Sequence, residues 1–170
     1  MKNKPTIFVL VGFVLVGLLV NSCKKESQDP IQQLFTGGTW ELASVVATYY
    51  TGATQDSTVT LDTTAMCSGQ FFTFYANNTC TYTNYDCITQ TPAAATWSLT
   101  QNKVYLQANV VCKDTSAKGS SMPFAYAQIE NLGQYSLVLY IGDIQPNYSL
   151  TQYRVIYTYG FIRQKVNGVD

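Results

Sequence analysis

The sequence predicts an all-β protein: an antiparallel up-and-down β-barrel of about eight strands, preceded by a short helical turn. Short runs rich in Thr, Tyr, Val, Phe and Ile recur along the 170 residues, separated by Asn, Gly, Gln and Pro. After the helical turn, no apolar pattern follows the 3.6-residue spacing of a helix. The composition is 46% hydrophobic and 12% charged, which suits one domain with a full core. A sandwich is the competing way to close such a sheet.

Residues 1–22 are predicted to be a signal peptide. Lys2 and Lys4 precede an unbroken apolar run over residues 7–20. That run is about 14 residues long, whereas a helix needs roughly 20 to cross a bilayer. A basic head, an apolar middle and a small residue before the cut are typical of an exported protein. An uncleaved anchor helix is the alternative.

The end of this segment resembles the lipobox of bacterial lipoproteins, which Val20, Ser22 and Cys23 match while Asn21 is larger than usual. The resemblance implies that Cys23 carries a diacylglycerol and further fatty acyl chains such as palmitate. Two or three chains anchor a protein stably on a bilayer. Lys24 does not resemble the aspartate that retains some lipoproteins in the inner membrane. We therefore expect an outer-membrane site, on either its periplasmic or its surface face.

Three segments are thus expected: a removed signal peptide at 1–22, a lipidated cysteine with a polar tether at 23–29, and a barrel domain at 30–170. Removal of the first leaves eight basic and ten acidic residues, a net charge of −2. Neither the charge nor any basic patch favours nucleic acid as a partner. The chain contains no histidine, which excludes His-based triads and His-ligated zinc.

The first element of the domain is a helical turn. Asp29 and Pro30 suit the N-cap and first helical positions, residues 31–35 follow, and Gly37 and Gly38 are stop signals. The strands come next in order, with residues 113–122 and 143–150 as longer loops. The predicted strands are 40–50, 58–64, 71–75, 79–85, 97–99, 104–106, 125–129, 137–141 and 153–165.

Tight turns predict the register of three hairpins. A three-residue loop over residues 76–78 places Phe72 opposite Tyr82, Phe74 opposite Cys80 and threonines on the other face. A turn at residues 101–102 places Trp97 opposite Leu106 and Leu99 opposite Val104. A loop over residues 132–134 brings together the apolar positions of the last hairpin, Ala125, Ala127 and Ile129 with Leu137, Leu139 and Ile141.

Beyond the lipidated residue, four cysteines remain in a compartment where disulfides persist. The hairpin register places Cys67 opposite Cys87, so this is the preferred bridge. Cys80 and Cys112 are then left to pair or to stay reduced, and pairing of Cys112 with Cys67 or Cys87 remains open.

Gly38, Thr39 and Trp40 form a G-x-W at the start of the first strand. Together with the spacing of the later strands, this motif resembles the lipocalin-like domains of Gram-negative lipoproteins. The resemblance implies that an arginine of the last strand, Arg163 or Arg154, lies over Trp40 and closes the barrel. It also implies a barrel with a possible apolar cavity.

We expect non-catalytic binding of a small apolar or amphipathic ligand, with no cofactor and no metal site. The alternative is a solid-core module that contacts protein or glycan through its loops, in which the inward aromatic side chains simply fill the barrel. Glu41, Glu130 and Asp143 fall on outward or loop positions, so paired-carboxylate catalysis has no support. The candidate ligand-binding residues are Phe72, Phe74, Tyr82, Trp97, Ala127 and Leu139.

Overall fold

The computed structural model describes residues 29–61 and 69–164, which form a closed antiparallel β-barrel of eight strands. One α-helix and eleven strands are present in these ranges. They are α1 Pro30–Thr36, β1 Thr39–Thr51, β2 Thr54–Leu61, β3 Phe71–Phe74, β4 Thr79–Tyr82, β5 Ala93–Leu99, β6 Tyr105–Ala108, β7 Cys112–Lys113, β8 Ser120–Ser121, β9 Ala127–Leu132, β10 Ser136–Gly142 and β11 Tyr153–Arg163.

The barrel closes because β1 pairs with β11 along its whole length, from Trp40 opposite Arg163 to Thr51 opposite Tyr153. The strand order around the barrel is β11-β10-β9-β6-β5-β4-β3-β1. On the other edge of β1, β3 pairs with its first residues and β2 with its later ones. The expected barrel is confirmed, and the sandwich alternative is wrong.

The hairpin of β3 and β4 has the expected register, with Phe72 opposite Tyr82 and Phe74 opposite Cys80. Alternation of aromatic and threonine side chains fixes it, because a shift of one residue would bring the threonines into the core. The helix also begins as expected, since the Asp29 carboxylate accepts a hydrogen bond from the backbone N–H of Ile31 at 3.1 Å.

The register predicted for β5 and β6 is wrong by two residues. Trp97 lies opposite Ala108, and Leu99 lies opposite Leu106. The connection is wider than a two-residue turn because Lys103 has a φ of +58° and the Asn102 side chain accepts a hydrogen bond from the backbone N–H of Val104. A shift of two residues preserves the alternation, so the inward face keeps its apolar side chains.

The register predicted for β9 and β10 is also wrong, because the turn spans residues 133–136 in place of 132–134 and a bulge then interrupts β9. Leu139 lies opposite Ile129, whereas Val138 lies opposite Asn131, so Glu130 is the extra residue. The bulge places Leu132 opposite Leu137. Ala125 precedes the strand and is exposed, so it does not contribute inward volume.

The helix α1 covers one end of the barrel, which we call the closed end. Phe35 is fully buried there, and its carbonyl accepts a hydrogen bond from the Trp40 indole N–H at 3.0 Å. The Arg163 guanidinium lies 4.5 Å from the centre of the Trp40 ring and donates a hydrogen bond to the Leu34 carbonyl. This is the contact that the resemblance implied for one of two arginines.

Arg154 lies at the opposite end, which we call the mouth. Its side chain is buried, donates to the Gly52 carbonyl at 2.8 and 3.2 Å, and lies 3.6 Å from the centre of the Tyr148 ring. It therefore ties the β1–β2 turn to the loop that precedes β11. That loop, residues 143–150, is irregular as expected. The loop predicted at 113–122 is wrong in part, because residues 112–121 form the short hairpin of β7 and β8.

Helical structure is limited in the described ranges. The α-helix α1 has seven residues, and no helix described here has the length and apolar character needed to cross a bilayer.

Candidate functional site

The interior of the barrel is filled by aromatic side chains. Phe124, which follows the β7–β8 hairpin, lies in their centre, with ring centroids 4.9 Å from Phe72, 5.3 Å from Tyr82 and 5.4 Å from Tyr159. Contacts at these separations are typical of packed edge and offset aromatic pairs. The predicted ligand-binding side chains belong to this core and are at most 3% exposed: Phe72, Phe74, Tyr82, Trp97, Ala127 and Leu139.

Such low exposure means that protein atoms surround these six side chains almost completely. A cavity large enough for a ligand would leave exposed surface on its lining. The packing therefore fits the filled-core interpretation, and a binding site has to be sought outside this cluster. The aromatic side chains stabilise the barrel through burial, which contributes about 1.5–3 kcal/mol for each large side chain.

A concave pocket of about 580 Å³ lies at the mouth of the barrel, above this core. We call it the mouth pocket. The mouth is the end of the barrel opposite α1, where β10 ends and β11 begins. The described lining of the pocket comprises Leu61, Tyr85, Asp86, Asp114, Thr115, Ser116, Ser121, Met122, Pro123, Ile141, Gly142, Tyr157 and Tyr159.

Two tyrosine hydroxyls form the floor of the mouth pocket. The hydroxyls of Tyr85 and Tyr159 are hydrogen-bonded to each other at 3.2 Å, and both rings contact Phe124. Burial raises the pKa of Tyr85 above its ordinary value, and the neighbouring Tyr159 raises it further. Burial likewise raises the pKa of Tyr159. The floor is therefore neutral at physiological pH and can offer hydroxyl hydrogen bonds.

One wall carries two carboxylates. Asp86 accepts hydrogen bonds from the backbone N–H and the hydroxyl of Thr115, which holds the β7–β8 hairpin against the turn after β4. Asp114 accepts from the N–H of Ser116 at 3.1 Å, and hydrogen bonds from the Ser116 and Ser121 side chains lower its pKa. Hydrogen bonds thus hold both carboxylates in fixed positions, and the described lining of the pocket includes no lysine or arginine.

A second group of lining side chains is largely apolar. Leu61 ends β2 with its side chain 40% exposed, and Ile141 and Tyr157 lie opposite each other on β10 and β11. Met122 adds a flexible exposed side chain from the loop before Phe124. The mouth pocket is therefore amphipathic, because its lining includes both hydrogen-bond acceptors and hydrocarbon side chains.

Sequence reasoning missed this pocket. Its residues come from five separate parts of the chain, and none of them was a candidate ligand-binding residue. The available signal was the loop predicted at 113–122, which supplies several lining side chains. The apolar pattern of the sequence does not predict that this loop contacts the turn after β4.

Two of the predicted special cysteines, Cys23 and Cys67, lie outside the described residues, so the lipid anchor and the bridge from Cys67 to Cys87 stay predictions. Cys80 and Cys112 are free thiols in the core. The alternatives that pair Cys112 with Cys67 or Cys87 are therefore wrong. Burial raises the pKa of each of these two thiols to about 12, which leaves them protonated and unreactive.

Comparison with known proteins provides no assignment. No protein-family model matches the chain, and no curated protein matches it. The function is therefore argued from the geometry of the mouth pocket.

Proposed function

We propose that this protein is a lipid-anchored, lipocalin-like envelope protein that binds a small amphipathic ligand without catalysing its conversion. The mouth pocket is the observation that carries this proposal. Its volume of about 580 Å³ falls within the roughly 300–1,000 Å³ of small-molecule sites. We place the binding site at the open end of the barrel and not in the barrel interior, which the resemblance to lipocalins implied.

The lining suggests the chemistry of the ligand. Asp86 and Asp114 are acceptors, so they favour a head group that donates hydrogen bonds, a hydroxyl or an amine. The apolar wall around Leu61 and Ile141 suits a hydrocarbon or ring body. An anionic head group would meet two carboxylates and no compensating cation among the described lining residues, which is unfavourable.

Three ligands with the same tail test this chemistry: octyl glucoside, octylamine and octanoate, each used below its micelle concentration. We expect octyl glucoside or octylamine to raise the thermal midpoint of the protein and octanoate to have no effect, because binding to the native state alone stabilises it. Native mass spectrometry of protein purified without detergent would detect a ligand that co-purifies. Equal stabilisation by all three compounds would contradict the proposed head-group selectivity.

A pair of variants locates the site. Met122→Trp adds an indole to the lining of the mouth pocket, whereas Lys118→Trp adds the same group in the nearby β7–β8 turn, outside the lining. The first variant should weaken ligand binding and the second should leave it unchanged. Equal binding by both variants would place the ligand elsewhere.

A second candidate function is a solid-core surface module that contacts a protein or a glycan through its loops. The filled interior favours it, as do the exposed side chains of Leu150 and Tyr153 beside the mouth. In that case none of the three octyl compounds should stabilise the protein, and Leu150→Ser should weaken capture of the macromolecular partner.

The anchor forms part of the same proposal. Cys23 would carry the acyl chains, and the envelope site would be the outer membrane. Mass analysis of the native protein tests the lipid directly, since an unmodified thiol at Cys23 would refute it. No charge feature of the described residues adds nucleic acid to the proposed partners.

A further inference from the structure

The closed end carries a set of exposed apolar and aromatic side chains. Three hairpin turns each contribute one: Tyr75 between β3 and β4, Val104 between β5 and β6, and Tyr135 between β9 and β10. Ile162 joins them from the end of β11, where it pairs with the residue after Tyr135. These four side chains, which we call the closed-end ring, are 39–63% exposed.

The chain enters the domain at this end. Asp29, at the start of α1, forms an ion pair with Lys103 in the β5–β6 turn. One helical turn later, Gln32 donates a hydrogen bond to Asn78 in the β3–β4 turn at 3.2 Å. The first residues of the domain, 29–32, therefore contact two of the turns that carry the closed-end ring.

The tether limits how far this end can lie from the anchor. Six residues, 24–29, lie between the proposed lipidated Cys23 and Pro30, so seven Cα-to-Cα steps join the two. A fully extended chain of that length spans at most about 25 Å. An acylated Cys23 would thus keep the closed end close to the lipid headgroups, at a high effective concentration for any contact with them.

We propose that the closed-end ring rests on the lipid–water interface of the membrane and that the mouth pocket faces away from it. This inference rests on the lipid anchor of the proposed function. Tyrosine suits such a position because its ring is apolar while its hydroxyl stays in the wet headgroup layer. Val104 and Ile162 add aliphatic area to the same surface. The bilayer is the occupant because the tether ends there, and the contact fixes an orientation that a flexible tether alone would leave free.

Two matched reporters test the orientation. Tyr135 at the closed end and Tyr153 at the mouth are both 63% exposed. The lipidated full-length protein with Tyr135→Trp or Tyr153→Trp is reconstituted in vesicles of phosphatidylethanolamine and phosphatidylglycerol that contain brominated phospholipid. Trp40 and Trp97 give the same background in both. Tyr75→Trp serves as a second reporter of the closed end, and an unchanged thermal midpoint establishes that each variant folds.

We expect the fractional quenching by brominated lipid to be roughly twofold larger for Tyr135→Trp and Tyr75→Trp than for Tyr153→Trp, because interfacial aromatic side chains lie near the acyl chains. Equal quenching at both ends, stronger quenching at Tyr153→Trp, or no added quenching in any variant would overturn the contact while the protein still floats with the vesicles. Failure to float would overturn the anchor itself and the contact with it, so the two failures are distinguished.

Discussion

Phe124 is expected to be the side chain that keeps the barrel interior filled, and Phe124→Ala tests this. Phe124 is fully buried and contacts rings carried by β3, β4 and β11. Substitution of a buried phenylalanine by alanine costs about 3–5 kcal/mol, and the cost rises with the cavity that remains. Paired strands on several sides prevent collapse around this site, so we expect a loss of about 4 kcal/mol in the free energy of unfolding.

Urea denaturation measures this loss, and a fall in thermal midpoint of roughly 12–16 °C should accompany it. The cavity should be apolar and dry, so benzene should bind the variant and, at ten times its Kd, restore about 1.4 kcal/mol. Tyr135→Ala, which truncates an exposed aromatic side chain, should change stability by less than about 0.5 kcal/mol. A loss below about 1 kcal/mol in Phe124→Ala, or equal stabilisation of the parent protein and the variant by benzene, would refute the filled interior.

Two further predictions concern the core thiols and the mouth. Burial raises the pKa of Cys80 and Cys112 from 9.0 to about 12. Their contribution to stability is therefore complete below pH 9 and is lost as the pH rises towards 12, by about 1.4 kcal/mol per thiol at pH 10. Denaturant titrations from pH 8 to 10 measure this slope, and Cys112→Ala should make it shallower; an unchanged slope would contradict the assignment. Gly52 has a φ of +59°, and an added Cβ would overlap the Leu150 carbonyl oxygen, so Gly52→Ala should cost about 2 kcal/mol or more. Calorimetry beside the control Ala53→Ser checks it, and equal stability of the two variants would argue against this close approach.

The sequence predicted the parts of the fold that depend on alternation. Phe72 and Tyr82 face inward because a period of two leaves no other arrangement for their hairpin. Trp97 faces inward even though its partner was misplaced by two residues, since an even shift preserves the face. A bulge at Glu130 adds one residue to β9 relative to β10, and nothing in the apolar pattern predicts it.

Closure and the mouth pocket depend on contacts between distant segments. The choice between Arg154 and Arg163 required the register of β11 against β1, in which Arg163 lies opposite Trp40. The mouth pocket required the position of the β7–β8 hairpin, which a hydrogen bond between Asp86 and Thr115 fixes across 29 residues of sequence. Local propensity carries no information about either contact, because both become defined only when the barrel has closed.

The residues that stabilise this barrel differ from the residues proposed to bind the ligand, and Phe124 belongs to the first group. Phe124 fills the space that a lipocalin-like calyx would leave open, and its neighbour Met122 lines the pocket above it. Loss of the phenyl ring should therefore reduce stability, whereas a substitution at Met122 should alter binding and leave stability nearly unchanged. A ligand at the mouth also needs no opening of the core, because it contacts the exposed ends of strands and loops. The filled core also lies between the two ends of the barrel, so the anchor proposed at the closed end would leave the site proposed at the mouth free to bind.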